Sequence, residues 1–352
     1  MKILLLGEFS GFFNNLKEGL LELGHEAVTA SSGDGWKNNK RDIDLQGRLW
    51  HIFKIKNLIN YDVVQLINPF VLYRDKPIIR NFNNMVTKYL VGHNKKFFLS
   101  ACGDDSFFWL IARKKLQNMP FEDSLNYDFN KKHYYMENDE AFKFNKLVAD
   151  ISDGIIPVSY DYYIGYEGHK NLKLNKFIPL PINTNKIIYK DNVISNNKLV
   201  IFHGLNRRGF KGTKYFEKAF EILQKKYPND LELVIDGYMP FDKYLEVIGR
   251  VNIIADQAFC YGVGMNALYS MAQGKVVLAG GYKREALDML GIDKSPTVTI
   301  MPDENNIVAA VEYLLENRNK IQDMGYQSRQ FVEKYHNHIK IAEKYLDVWS
   351  SN

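Results

Sequence analysis

Two cysteines in 352 residues, Cys102 and Cys260, are too few for a disulfide framework or a thiolate zinc site. They fit a reducing compartment. No His pair and no His-Glu spacing points to zinc. No apolar stretch approaches the roughly 18 residues of a membrane span. The first apolar run, Ile3–Leu6, stops at Gly7, so no secretory leader is expected there. Repeats at solenoid spacing and low-complexity tracts are also missing. With 46% hydrophobic and 25% charged residues, the chain is neither disordered nor fibrous. A soluble, cytoplasmic protein of two domains is the expectation.

The net charge of +5 is small but unevenly spread. Between Trp36 and Lys96 stand twelve Lys/Arg against four Asp, with Trp50 and Phe53 among them. Such a stretch is either a solvated face or a patch that meets an anionic membrane or a diphosphate-linked molecule. The latter gains about 1 kcal/mol per basic residue near the surface.

The hydrophobic pattern is that of alternating strands and helices. Strands are expected at Lys2–Leu6, Glu26–Ala30, Val63–Ile67, Phe97–Ala101 and Gly154–Val158. Helical spacing marks Asn14–Leu23 and Asn138–Ala149. A Pro-marked and then polar stretch, 183–197, reads as a linker. The pattern then restarts, with strands at Leu199–His203, Leu231–Asp236, Asn252–Ala255 and Lys275–Ala279. Helices are expected at Lys211–Lys226, Asp242–Ile248 and Asn266–Gln273, and the tail from Asn305 is helical. Alternation of this kind makes parallel sheets with helices on both faces. Ligands in such sheets bind beyond the carboxyl ends of the strands.

Three stretches could carry chemistry. His203-Gly204-Leu205-Asn206-Arg207-Arg208-Gly209-Phe210-Lys211-Gly212-Thr213 leaves a strand and enters a helix. Its two outer glycines permit close approach of a ligand, and its three cations match the donor density a diphosphate needs. It lacks the Walker spacing. Read blandly, it is a basic surface turn. The second, Asp256 to Val277, places Gly262 and Gly264 before a helix starting near Met265. The N–H groups of residues 265–267 there would point at an anion, or the glycines serve packing alone. The third, Ser100-Ala101-Cys102-Gly103-Asp104-Asp105, follows a strand. One of its carboxylates would orient or deprotonate a hydroxyl, or it caps the next helix. Asp42-Ile43-Asp44 reads as a surface loop, and His25 as a local cap.

The order strand, Gly-basic-Lys-Gly-Thr loop, strand ending Asp-Gly, then Asp-Gln…Gly…Met-Ala-x-Gly-Lys-x-Val resembles the donor domain of GT-B fold glycosyltransferases. It is most similar to glycosyltransferase family 4, in the branch of bacterial surface-polysaccharide, O-antigen and capsule clusters. The opening MKILLLGEFSG…LGHEAV resembles the first unit of that fold. The resemblance implies two Rossmann-like domains facing a central cleft: an acceptor-binding domain over 1–182, the linker, a donor-binding domain over 198–335, and a last helix, 336–352, crossing back to the first domain.

It also implies roles. Arg207 or Arg208 with Lys211 would hold the donor diphosphate and stabilise it as a leaving group, with Gly204, Asn206 and Gly212 shaping the loop. Gly264, Met265, Asn266 and Ala267 would bind the distal phosphate and sugar, and Gly11 would face the same diphosphate. Tyr238 would lie near the base. Asp104 or Asp105 would serve the acceptor. The family's two glutamates are Tyr261 and Tyr269 here, so Tyr269 would take the ribose, and Asn266 or Glu285 part of the sugar contact. The implied activity is transfer of a UDP- or GDP-linked sugar to a hydroxyl of a polysaccharide or lipid-linked intermediate, retaining, with no metal and no other cofactor. Peripheral contact with the inner membrane face is implied; nucleic acid is not a partner. The loss of both glutamates leaves two other readings open, a non-catalytic scaffold in a glycan-assembly complex and a sugar-nucleotide epimerase.

Overall fold

The computed structural model describes residues 1–35, 39–47, 53–73, 80–168, 173–237 and 241–351. The chain forms two units. One comprises Met1–Lys115, Tyr135–Asn183 and His336–Asn352; the other comprises Leu116–Tyr134 and Thr184–Tyr335. Residues 116–134, which the sequence reading placed in the first domain, therefore group with the second. The polar stretch read as a linker is pinned to the second unit from residue 184 onward. Asn192 exchanges amide hydrogen bonds with Asn252, donating to its carbonyl at 2.9 Å and accepting from its side chain at 2.8 Å.

The first unit is built on six parallel strands: β1 (Lys2–Leu6), β2 (Glu26–Ser31), β3 (Ile43–Asp44), β4 (Val63–Leu66), β5 (Lys96–Ala101) and β6 (Gly154–Pro157). Their order is β3-β2-β1-β4-β5-β6, that of a doubly wound dinucleotide-type sheet. Ile43 and Asp44, expected in a loop, form the edge strand, because Ala30 and Ser31 of β2 extend far enough to pair with them. Asp42 beside them binds Lys17 at 2.6 Å and the Thr29 amide at 2.7 Å. The Nδ1 of His25 lies 3.0 Å from the amine of Met1.

Strands buried on both faces are apolar over most of their length. Leu4, Leu6, Val64, Leu66, Phe97 and Leu99 accordingly form one core with the helices Arg80–Gly92 and Asp139–Ile151. The last helix, His338–Ser351, belongs to this unit and packs on the helix Phe12–Glu22. Gly19 makes that contact possible, since a Cβ there would meet the His338 carbonyl oxygen at 2.3 Å. Trp349 is 1% exposed. Its indole N–H donates to Gln65 Oε1 at 2.8 Å, and Gln65 in turn donates to Ser100 Oγ at 2.9 Å.

The second unit carries five parallel strands: β7 (Leu199–Gly204), β8 (Leu231–Asp236), β9 (Ile253–Ala255), β10 (Val276–Ala279) and β11 (Val298–Thr299). Their order is β11-β10-β9-β7-β8. Its core joins Leu199, Ile201, Ile253, Val276 and Leu278 to Phe216, Leu223, Val311 and Leu314 of the covering helices.

Trp349→Ala removes a fully buried ring and leaves Gln65 without its donor. It is expected to destabilise the first unit by about 3–5 kcal/mol, read as a lower midpoint in chemical unfolding.

Candidate functional site

In the second sheet the winding reverses at β7. The chain goes from β7 out to β8 on one side, and returns to β9 on the other. The loops after β7 and β9 consequently part at the carboxyl edge, the place where open α/β sheets bind ligands. These loops are the first two of the stretches singled out above.

Their bases are joined. Ala258 N–H donates to the Lys211 carbonyl at 3.0 Å. Beneath them His203, fully buried on β7, bridges Ala255 O at 2.7 Å and Thr213 Oγ1 at 2.9 Å. Burial, reinforced by the Lys211 charge, pulls His203 down to about 3, so it is a neutral strut. Gly212, at φ +73°, turns the loop into the helix Thr213–Lys226 and leaves no room for a side chain beside Phe259.

At the mouth, Lys211 Nζ lies 3.1 Å from Asp256 Oδ1, with the lysine side chain 12% exposed and the aspartate 3%. Asn266 Nδ2 donates to the same oxygen at 3.1 Å. Two side chains, one from the loop after β7 and one from the helix Met265–Ala272, thus meet on the Asp256 carboxylate of the loop after β9. That helix starts at an extended Gly264, which offers no side chain of its own as a cap. Met265 and Ala267 are buried in its opening turn.

The other residues of the basic loop are committed differently. Arg208 pairs with Glu217 on the following helix. The Arg207 guanidinium lies 3.9 Å over the Phe210 ring. The amides of Gly209 and Phe210 do not await an anion: each donates to a carboxylate oxygen of Asp128 at 2.8 Å. Asn206 continues the turn, donating its amide to the Gly204 carbonyl at 3.2 Å. Tyr261, which the sequence resemblance set at a glutamate position, is buried. Its hydroxyl donates to the Gln117 carbonyl, and Lys283 Nζ stands 4.4 Å over its ring. Tyr269 is half-buried on the helix Met265–Ala272, and Glu285 is exposed in the first turn of the helix Arg284–Leu290. Tyr238 lies outside the described residues.

In the first unit, the loop after β1 holds a carboxyl group of its own. Glu8, 3% exposed, accepts from Gly11 N–H at 2.8 Å and Asn14 N–H at 2.9 Å. Its carboxylate sits over the start of the helix Phe12–Glu22, so Gly11, expected to face a diphosphate, spends its amide on Glu8. Burial pushes Glu8 up to about 7 despite those bonds, and Asp34 adds to the rise. After β5, Asp105 is fully buried. It accepts from Phe108 N–H at 2.8 Å and from the Tyr166 hydroxyl at 2.7 Å, and burial lifts it to about 6. It is the helix cap of the two carboxylates. Asp104 is half-exposed, and its carbonyl accepts from Asn68 at 3.0 Å.

Three participants were not named from the sequence. Asp256 ended the β9 stretch and Glu8 stood inside the first glycine loop, so both had a local signal. Asp128 had none. Among the described residues no group of His, Cys, Asp and Glu could hold a metal ion, and no helix is long and apolar enough to cross a membrane.

No family model matches the chain, and no curated protein matches it in sequence. Solved structures do match in fold. Sucrose-phosphate synthase from Thermosynechococcus elongatus superposes with a TM-score of 0.65 at 15% identity, over 100% of this chain and 99% of its own. Anabaena HepE in complex with UDP and glucose gives 0.63 at 11% identity, over 100% of both chains. The UDP-GlcNAc 2-epimerase from Neisseria meningitidis bound to UDP-GlcNAc gives 0.50 at 12%, again over 100% of both.

Because the protonated Glu8 is favoured by the fold, its stabilising contribution is complete below pH 4.5 and lost as the pH rises through about 7. Glu8→Gln should therefore gain thermal midpoint relative to the parent between pH 5 and pH 8; a constant gap across that range would contradict the placement of the carboxylate. With its two parallel-sheet units and these neighbours, the chain has the α/β GT-B fold.

Proposed function

We propose that this chain is a glycosyltransferase that moves a sugar from a UDP- or GDP-linked donor to a hydroxyl of a polysaccharide or lipid-linked intermediate. One observation carries the reading. Lys211, Asp256 and Asn266 converge within 3.1 Å contacts where the winding of the second sheet reverses, beside the helix that starts at Gly264. A cation and a helix N-terminus at one crevice suit a diphosphate. That HepE is solved with UDP and glucose on this fold favours a uridine donor.

In this reading the bond from the anomeric carbon to the diphosphate oxygen breaks, and the electron pair leaves with the diphosphate. Lys211, with Arg207, neutralises the charge that develops there, which is the largest part of what such a transfer needs. The amides at Met265 and Ala267 take the distal phosphate, and no metal is required. The acceptor hydroxyl attacks the anomeric carbon on the face the leaving group vacates, so configuration is retained. Its proton passes to Asp104 rather than to the buried Asp105. Arg208, Tyr269 and Glu285 keep supporting roles at the donor. The basic stretch between residues 36 and 96, where Phe53 is 69% exposed, supplies the contact with an anionic membrane surface.

The epimerase neighbour supports a second reading, in which the same crevice takes a UDP-sugar and no acceptor is used. The two differ in products: transfer releases free nucleoside diphosphate, and epimerisation changes only the sugar.

Lys211→Ala should weaken binding of UDP or GDP by about 1.5–3 kcal/mol, the scale of a charge-assisted hydrogen bond. Calorimetry on the parent and the variant, with and without EDTA, reads this directly. Equal affinities would remove the diphosphate from this loop, and a requirement for a divalent cation would remove the metal-free mechanism.

A further inference from the structure

We infer that residues 116–134 form a strap that holds the two donor loops at their working separation, with Asp128 as a positioning residue. The segment is flanked in sequence by the first unit, at Lys115 and Tyr135, yet it belongs to the second. It grips the loop after β7 and the helix that follows it at three points. Asp128 takes the amides of Gly209 and Phe210, one on each oxygen, at 2.8 Å. Asp123 pairs with Lys214 at 2.7 Å. Gly209 lies against the strap backbone so closely that a Cβ would fall 2.1 Å from the Asp123 carbonyl oxygen and 2.6 Å from Ser124 N. A fourth point reaches the loop after β9, where the Tyr261 hydroxyl donates to the Gln117 carbonyl.

The strap is itself ordered by packing. Phe121 and Leu125 are buried, and Phe129 stacks on Tyr134 at 4.3 Å. Lys131 N–H closes on Leu125 O at 3.0 Å.

Two roles fit a carboxylate on these amides. In one, Asp128 mimics a phosphate and the strap is a plug that the nucleotide displaces. In the other, the strap is permanent and fixes where Arg207 and Lys211 stand. The second is favoured because Gly209 is in backbone contact that leaves no methyl-sized gap, and because the strap holds both loops at once. A clamp of this kind saves the ordering cost that a mobile basic loop would meet on binding.

The inference rests on the reading of this crevice as a nucleotide site. It is tested by calorimetry of UDP and GDP on the full chain. The parent is compared with Asp128→Asn, Gly209→Ala and, as an exposed control on the strap, Lys131→Ala. Hydrogen exchange at the Gly209 and Phe210 amides is followed in parallel, and Asp128→Asn is combined with Lys211→Ala. The expected result is about a tenfold loss of affinity in Asp128→Asn and in Gly209→Ala, no change in Lys131→Ala, and faster exchange at both amides in Asp128→Asn. The double variant should lose less than the two single losses combined, since a displaced loop no longer presents Lys211. A role in stability alone would give additive losses and overturn the inference. Tighter binding in Asp128→Asn would make the strap a plug, which also overturns it. Unchanged affinity in Asp128→Asn, with normal binding by the parent, overturns the strap and spares the nucleotide site. A parent that binds neither nucleotide overturns the reading of the crevice itself.

Discussion

The second unit depends on one topological constraint: β7 pairs with β8 on one side and β9 on the other, all parallel. A parallel strand can be followed only by a crossover over one face. Reversal of the winding at β7 therefore sends two successive loops away from each other and opens a crevice between them. His203 sits at that fork and bonds to Ala255 on the neighbouring strand and to Thr213 on the helix beyond. As a neutral imidazole it has one donor and one acceptor, and each has a partner. The Lys211–Asp256 pair above it inherits its position from this strut and from the Ala258–Lys211 backbone bond.

A second theme is that the protein supplies its own carboxyl partners for its amides and cations. Glu8 covers the start of the helix Phe12–Glu22, Asp128 covers the amides after Arg208, and Asp256 holds Lys211. The three differ in consequence. Exposed ion pairs such as Arg208–Glu217 contribute about 0.2–1 kcal/mol. Asp256, at 3% exposure, would be costly to leave without its cation. A diphosphate that draws on Lys211 must therefore share it with Asp256, and Asn266 remains to keep that carboxylate satisfied. The helix Met265–Ala272 is different: it starts at a glycine, which brings no side chain of its own to cap it.

Much of the fold was legible because its causes are local. Apolar runs that end in glycine marked β1, β7 and β10, and 3.6-residue spacing marked the helices Thr213–Lys226 and Met265–Ala272. Two-residue edge strands left no such pattern: β3 is a strand only because β2 offers Ala30 and Ser31 to pair with it. The segment 116–134 was assigned to the wrong unit because nothing in its composition says which sheet it folds against. Of the adjacent carboxylates, Asp105 and Asp104 could not be told apart in the sequence. Burial against Tyr166 and the Phe108 amide separates them.

The sequence by itself determined the two parallel sheets, the basic loop with Lys211 and the glycine start of the helix at Met265, since periodicity, glycine and charge act over a few residues. Only the tertiary structure decided which of those charges meet. Asp256 reaches Lys211 across 45 residues and Asp128 reaches Gly209 across 81. Contacts of that separation are set by strand order and by the backbone's need to satisfy every buried amide, and neither is written in a local pattern.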